Sequence, residues 1–142
     1  MSAKPRIVVP DTPGDHDRAA ILNALIAYND KAAGPSGFRQ VCLLIEDPGT
    51  GDKIGGLWGR IVYDWLFVEL FAVPDKARHT GIGTDILTRA EQIARDHGCI
   101  GVWLDTYSFQ APDFYKKRGY EAFGAIDNHP RGARRVFFKK TF

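Results

Sequence analysis

The stretch Arg78-His79-Thr80-Gly81-Ile82-Gly83-Thr84 sets two glycines one residue apart where a helix is about to begin. A helix start leaves backbone N–H groups without partners and carries partial positive charge, so it attracts phosphate. Glycine lets a ligand approach that backbone and permits φ values other residues resist. A P-loop, GxxxxGK[ST], is absent, and the dinucleotide fingerprint would need a third glycine or alanine where Ile86 stands. An [RQ]xxGx[GA] phosphate loop remains, matched by Arg78 through Gly83, with "FAVP" supplying a strand end just before it. Two carboxylates invite the same attention. Glu69 lies inside the otherwise apolar "WLFVELFAV", where an unpaired charge is costly to bury, and strand alternation puts it on the face of Phe71 and Val73. Asp105, in "VWLDTY", stands in a similar setting. Either carboxylate does proton chemistry, faces solvent or pairs with an arginine.

These residues need a scaffold. "RIVV", residues 6–9, reads as a short first strand ended by Pro10. Residues 11–34 read as a helix, with Thr12 as cap, Pro13 in the first turn, and Asp15 and Asp17 at the positive end. Ile21, Leu22, Leu25, Ile26 and Tyr28 or Asn29 share one stripe of it. From Phe38 the period shortens to alternation, giving strands over 39–46, 53–63 and 65–73 joined as antiparallel hairpins. Glycines 55, 56 and 59 mark a bulge or the close passage of another chain segment. A helix over 83–98 carries Ile86, Leu87, Ala90, Ile93 and Ala94 at helical spacing, with Gly98 as its stop. A strand (99–107), a short helix (111–119) and two strands (120–126 and 133–140) complete the order β-α-β-β-β-α-β-α-β-β.

The 142 residues are the length of one domain, and 44% hydrophobic with 25% charged is ordinary for a globular chain. A net charge of +2 falls short of a dedicated nucleic-acid binder, so the basic end "RGARRVFFKK" reads first as a strand with one solvated face. Cys42 and Cys99 lack metal-ligand spacing and read as small buried hydrophobes, with no metal site. No segment approaches the roughly 20 apolar residues of a membrane span, and the N-terminus lacks an apolar leader core, which makes a cytoplasmic protein the default expectation. His16, His97 and His129 fall in a helix start, a helix end and a turn, the usual places of solvated histidine. Exposed aromatics such as Trp65 suit a homodimer surface, a core or a cleft equally.

The glycine loop is joined by a second pattern. In "SFQAPDFYKKRGYEAFG", Ala111 is followed four residues on by Tyr115 and then by Gly119-Tyr120 opening a strand. Together the two patterns resemble the GNAT superfamily of acyl-CoA-dependent N-acyltransferases, by motif over roughly 66–124 and by element order elsewhere. The resemblance implies one α+β domain over 1–142, a three-layer α/β/α fold. Its central sheet would be mixed, mostly antiparallel, of about seven strands, with the fourth and fifth splayed apart.

It also implies acetyl-CoA as co-substrate, a small-molecule or peptide amine as acceptor, and direct attack in a ternary complex. The implied cofactor contacts are Phe71, Ala72, Val73, Arg78, His79, Thr80, Gly81, Ile82, Gly83 and Thr84, with Ser108 where the family commonly has asparagine. A bulge near Val73 would open the slot for the pantetheine arm, and the Val73 amide would face the thioester oxygen. An alkyl ammonium has a pKa of about 10.4, so a base must take its proton. The resemblance favours Glu69, with Asp105 or water as rivals. A phenol of pKa near 10, Tyr115, becomes the acid that returns a proton to the departing sulfur. His79, in the loop, belongs with the diphosphate. The acceptor, and whether the acyl group is acetyl alone, are left open. Two other readings compete: an acyl-CoA-binding module without catalysis, and a basic nucleic-acid-binding domain.

Overall fold

A computed structural model describes residues 3–142. Contacts divide the chain into two compact units, Met1–Ser36 and Gly37–Phe142. The first holds one helix, α1 (Asp15–Ala33). Its N-cap is Gly14, whose N–H donates to the Asp17 carboxylate at 2.9 Å, so the helix starts two residues later than a Thr12 cap would set it. The expected first strand does not form: Ile7, Val8 and Val9 are 96%, 80% and 86% exposed and lie in no regular element. β-branched residues suit a strand, but a strand exists only where a neighbour accepts its hydrogen bonds.

The second unit contains β1 (Arg39–Glu46), β2 (Lys53–Val62), β3 (Trp65–Ala72), a 3-10 turn (Asp75–Ala77), α2 (Ile82–Asp96), β4 (Gly101–Tyr107), α3 (Pro112–Lys117), β5 (Glu121–Asp127) and β6 (Arg134–Thr141). The sheet has six strands rather than about seven, in the order β1-β2-β3-β4-β6-β5, with β1 at one edge. All neighbours are antiparallel except β3 and β4. A parallel pair needs a crossover connection, and α2 supplies it.

Alternation decides what each strand buries. Val41, Leu57, Ile61, Leu66, Val68, Val102, Leu104 and Phe138 point to one face and meet Ile86, Leu87, Ala90 and Ala94 of α2 in a single core. Leu66, Val102 and Phe138 are fully enclosed. Cys99 joins this core, whereas Cys42 alternates outward on the edge strand and is exposed, contrary to the expectation that both thiols are buried.

Two local features shape the centre of the sheet. Pairing of β2 with β3 skips a residue: Trp58 faces Leu70 and Gly59 faces Val68, leaving Glu69 as the extra residue of a bulge. Glycine is needed at 59, because a Cβ there would lie 2.5 Å from the Phe67 carbonyl oxygen. On its other side β3 pairs with β4 only as far as Val68 and Leu104. Beyond that rung Glu69–Ala72 and Asp105–Tyr107 diverge, and these two strands are the fourth and fifth of the sequence reading.

Candidate active site

The split between β3 and β4 collects the predicted residues on two sides. Phe71 turns toward the helices and packs edge-on against Phe114 and Tyr115, with ring centroids 6.0 and 6.5 Å away. Glu69 does not share that face. The bulge breaks strict alternation, and its carboxylate instead meets Arg60 at 3.5 Å. Arg60 in turn lies over the Phe67 ring, which stacks on Trp103 at 4.1 Å. Asp105 accepts a 2.7 Å hydrogen bond from Arg135 Nε, and its side chain is only 15% exposed. Both carboxylates therefore have arginine partners, on the sheet face opposite the α2 core.

Tyr115 is 9% exposed, enclosed by Phe71, Phe114, Tyr120 and Phe138. Burial, reinforced by the charge of Asp105, pushes its phenol up to about 12. It is thus a proton donor throughout the neutral range and sits within electrostatic reach of Asp105. Nearby, Tyr120 donates to Glu91 at 2.7 Å and Lys140 donates to the other Glu91 oxygen at 3.0 Å, tying α2 to β6 and to the residue just before β5. Burial and the Glu91 carboxylate hold the Tyr120 phenol far above its ordinary value.

The α2 entrance matches its sequence reading. Gly81 is the N-cap in the left-handed region (φ 83°), and no side chain caps the helix. A Cβ built on Gly81 meets nothing within 4 Å, so the loop is open to a ligand there. A Cβ on Gly83 would lie 3.5 Å from the Val73 side chain and 3.6 Å from the Phe114 ring, which places the loop beside the end of β3. His79 is exposed and also left-handed (φ 64°). Arg78 pairs with Asp75 at 2.9 Å and donates from Nε to the Val73 carbonyl at 3.4 Å. Thr80 Oγ1 donates to the Ala77 carbonyl at 2.5 Å and accepts from Ile82 N–H at 3.4 Å. Ala72 is exposed and Val73 half-buried at the mouth of the split.

Two expected contacts are engaged elsewhere. Ser108 Oγ accepts the Arg134 N–H at 3.0 Å and so fastens the end of β4 to the start of β6. Thr84 Oγ1 accepts from Arg118 at 2.9 Å (Nε) and also from its terminal nitrogen. Arg118 also donates to the Phe114 carbonyl at 3.0 Å and covers that ring at 4.0 Å, clamping α3 onto the first turn of α2. Sequence reasoning missed Arg118; its only signal was its place three residues after Tyr115. The basic C-terminal strand is paired off: Arg134 with Asp127, Arg135 with Asp105, Lys139 with Glu121 and Lys140 with Glu91.

A helix end that opens on glycine beside a sheet parted along a parallel seam suits a donor with a charged nucleotide handle and an amide-rich arm. That combination defines the class of acyl-CoA-dependent acyltransferases. The chain belongs to the acetyltransferase (GNAT) family, whose model matches residues 10–120. An Agrobacterium fabrum acetyltransferase, Atu2258, is 31% identical over 95% of this chain and 98% of its own length. Blasticidin-S acetyltransferase of Streptomyces morookaense is 42% identical over 83 residues, which span 58% of this chain and 61% of that enzyme. Among solved structures, an acetyltransferase from Agrobacterium tumefaciens superposes with a TM-score of 0.90 at 30% identity, covering 97% of this chain and all of that one. One from Bacillus cereus gives 0.81 at 31% identity over 95% and 98%. Acetyl-CoA is the co-substrate of this family, and a Bacillus anthracis acetyltransferase of the same fold is known in complex with it. The uncapped α2 entrance and the open space at Gly81 fit the diphosphate of such a molecule.

Proposed function

We propose that the protein transfers an acetyl group from acetyl-CoA to a primary amine by direct attack in a ternary complex. The juxtaposition of three features supports it most: the glycine-capped α2 entrance, the split beyond Val68 and Leu104, and an enclosed, protonated Tyr115. Bound there, acetyl-CoA supplies a thioester carbonyl and a thiolate leaving group. Residues of this chain do the rest. The loop from Arg78 to Thr84 holds the diphosphate through main-chain N–H groups. The Val73 amide donates to the carbonyl oxygen as negative charge grows on it. Glu69 takes the ammonium proton, directly or through water, once the acceptor has displaced Arg60 from it; Asp105 is the alternative base. Tyr115 returns a proton to sulfur.

The acceptor reading is a small amine presented on the sheet face that carries Glu69 and Asp105, and the blasticidin-S acetyltransferase match supports a small-molecule acceptor. Both units act as one acetyltransferase domain in this reading, supported by a family match that crosses their boundary. The test is thiol release from acetyl-CoA across a broad panel of amines, with Glu69→Gln and Asp105→Asn beside the parent. Loss of rate in Glu69→Gln alone fits the proposal; loss in Asp105→Asn alone moves the base.

One observation favours a second reading, an acyl-CoA-binding module without turnover: both candidate bases are ion-paired to arginine. Saturable acetyl-CoA binding with no thiol release for any amine would select it.

A further inference from the structure

The two carboxylate–arginine pairs at the split are not alike. Arg135 Nε donates to Asp105 at 2.7 Å, a short, directed bond. Arg60 Nη1 stays 3.5 Å from Glu69, longer than a good hydrogen bond, and Glu69 is the one acid that Arg60 pairs with among the described residues. Arg60 does not depend on that acid for its place. The β2–β3 register sets it opposite Phe67, its guanidinium lies 4.9 Å above that ring, and Trp103, in register from β4, stacks on the same ring at 4.1 Å. Glu69 is the bulge residue and stands one position past the last β3–β4 rung, where the split begins.

An amine that reaches Glu69 therefore meets a charge problem. A plain ammonium takes over the carboxylate and leaves Arg60, fixed on its ring, without an anion; a second cation in the acceptor makes this worse. An acceptor with an anion of its own exchanges partners without loss, because its ammonium takes Glu69 while its anion takes Arg60. The gap limits the spacing of the two groups. Hydrogen bonds of about 2.9 Å at either end of the 3.5 Å separation leave the acceptor's nitrogen and anionic oxygen a similar distance apart, which one or two saturated carbons between amine and carboxylate provide.

We infer that Arg60 and Glu69 form the seat of an amino-acid acceptor, a primary amine whose carboxylate lies one or two carbons away and binds Arg60. This deepens the acetyl-transfer reading and rests on it for the role of Glu69. Arg60 determines specificity without touching the reacting atoms. The resting ion pair is then a step of the cycle, since the acceptor's carboxylate engages Arg60 as its ammonium claims Glu69. The ammonium gives one proton to Glu69, and the freed lone pair forms the amide C–N bond as the C–S pair leaves on sulfur. Sulfur takes the Tyr115 proton, and the second nitrogen proton restores Tyr115 through solvent. An N-acetyl amino acid, the CoA thiol and one proton leave.

The test uses matched pairs: β-alanine and each standard amino acid with a primary amine, beside its methyl ester, assayed by thiol release from acetyl-CoA at pH 8. Esterification makes an amine less basic, so amine chemistry alone favours the ester. The protein should use at least one acid with kcat/KM about tenfold or more above its ester. Arg60→Gln should erase that ratio by raising KM for the acid, with the ester's constants unchanged, and Arg60→Lys, which keeps the charge, should retain part of it. Saturation-transfer NMR with the same pairs on the CoA-loaded protein reads binding without turnover. Thiol release that shows no preference for any acid, or a preference that survives Arg60→Gln, overturns the inference and leaves the transferase standing. Acid-selective binding that requires Arg60, with no thiol release from any amine, keeps the amino-acid seat and removes the transferase. Neither binding nor turnover of any acid overturns the inference as well.

Discussion

Replacing Tyr115 by phenylalanine removes one oxygen from an enclosed ring and separates its chemical role from its packing. Four aromatic neighbours hold the ring at centroid distances of 5.2 to 6.5 Å, and phenylalanine retains them all. At pH 7.5 the melting temperature should therefore move by no more than a few degrees, as for a volume-conserving core change. The rate should fall far more. Loss of a positioned acid costs about 10²–10³-fold in kcat, with KM for acetyl-CoA nearly unchanged because the diphosphate loop is intact. Alkaline pH gives an independent check. The folded phenol titrates at about 12, above its ordinary 10, so the folded state holds the proton more tightly than the unfolded chain. That contribution is complete below pH 10 and is lost as pH rises through 12. Two units correspond to about 2–3 kcal/mol, which the parent should lose over this window and the variant should not. Thiol-release kinetics and urea unfolding at pH 8, 10, 11 and 12 measure both effects. A rate within threefold of the parent would refute the assignment of Tyr115 as the acid, whatever the unfolding data show.

Gly81→Val should raise KM for acetyl-CoA at least thirtyfold in steady-state assays. The left-handed φ of 83° costs a β-branched residue about 1–2 kcal/mol, and its methyls stand in front of the amides. Glu91→Ala leaves Lys140 and the Tyr120 hydroxyl without their shared carboxylate and should destabilise the fold by about 3 kcal/mol in urea titrations. Arg118→Ala should lower stability by about 1–2 kcal/mol through the lost Thr84 and Phe114 contacts, and calorimetric titration of acetyl-CoA should weaken several-fold as the first turn of α2 loosens.

How legible each feature was depended on how local its cause is. β1 was read residue for residue because "RQVCLLIE" alternates within itself, and the α2 entrance because two glycines and an apolar stripe sit side by side. The run Ile7–Val9 has a strand's composition but lies in no regular element, because pairing is a property of two segments and composition reports only one. Glu69 was put on the wrong face because alternation assumes equal residue counts on both strands; the register slip opposite Gly59 cannot be seen in β3 alone. Pairing with an arginine was among the sequence readings, but which arginine meets Glu69 or Asp105 was hidden for a related reason. Arg135 is 30 positions from Asp105, and only the β4–β6 register brings them together. Arg118 was hidden among lysines that resemble an ordinary solvated helix end.

The seam that stops at Val68 and Leu104 has an evolutionary corollary. What it offers a visitor is peptide groups, which every amino acid except proline supplies alike. An alanine scan along Glu69–Ala72 and Asp105–Tyr107 would pass over those contacts, whereas a proline scan would register them. On the proposed function, side chains lining the cleft are thus free to drift toward new acceptors while the grip on the donor stays the same.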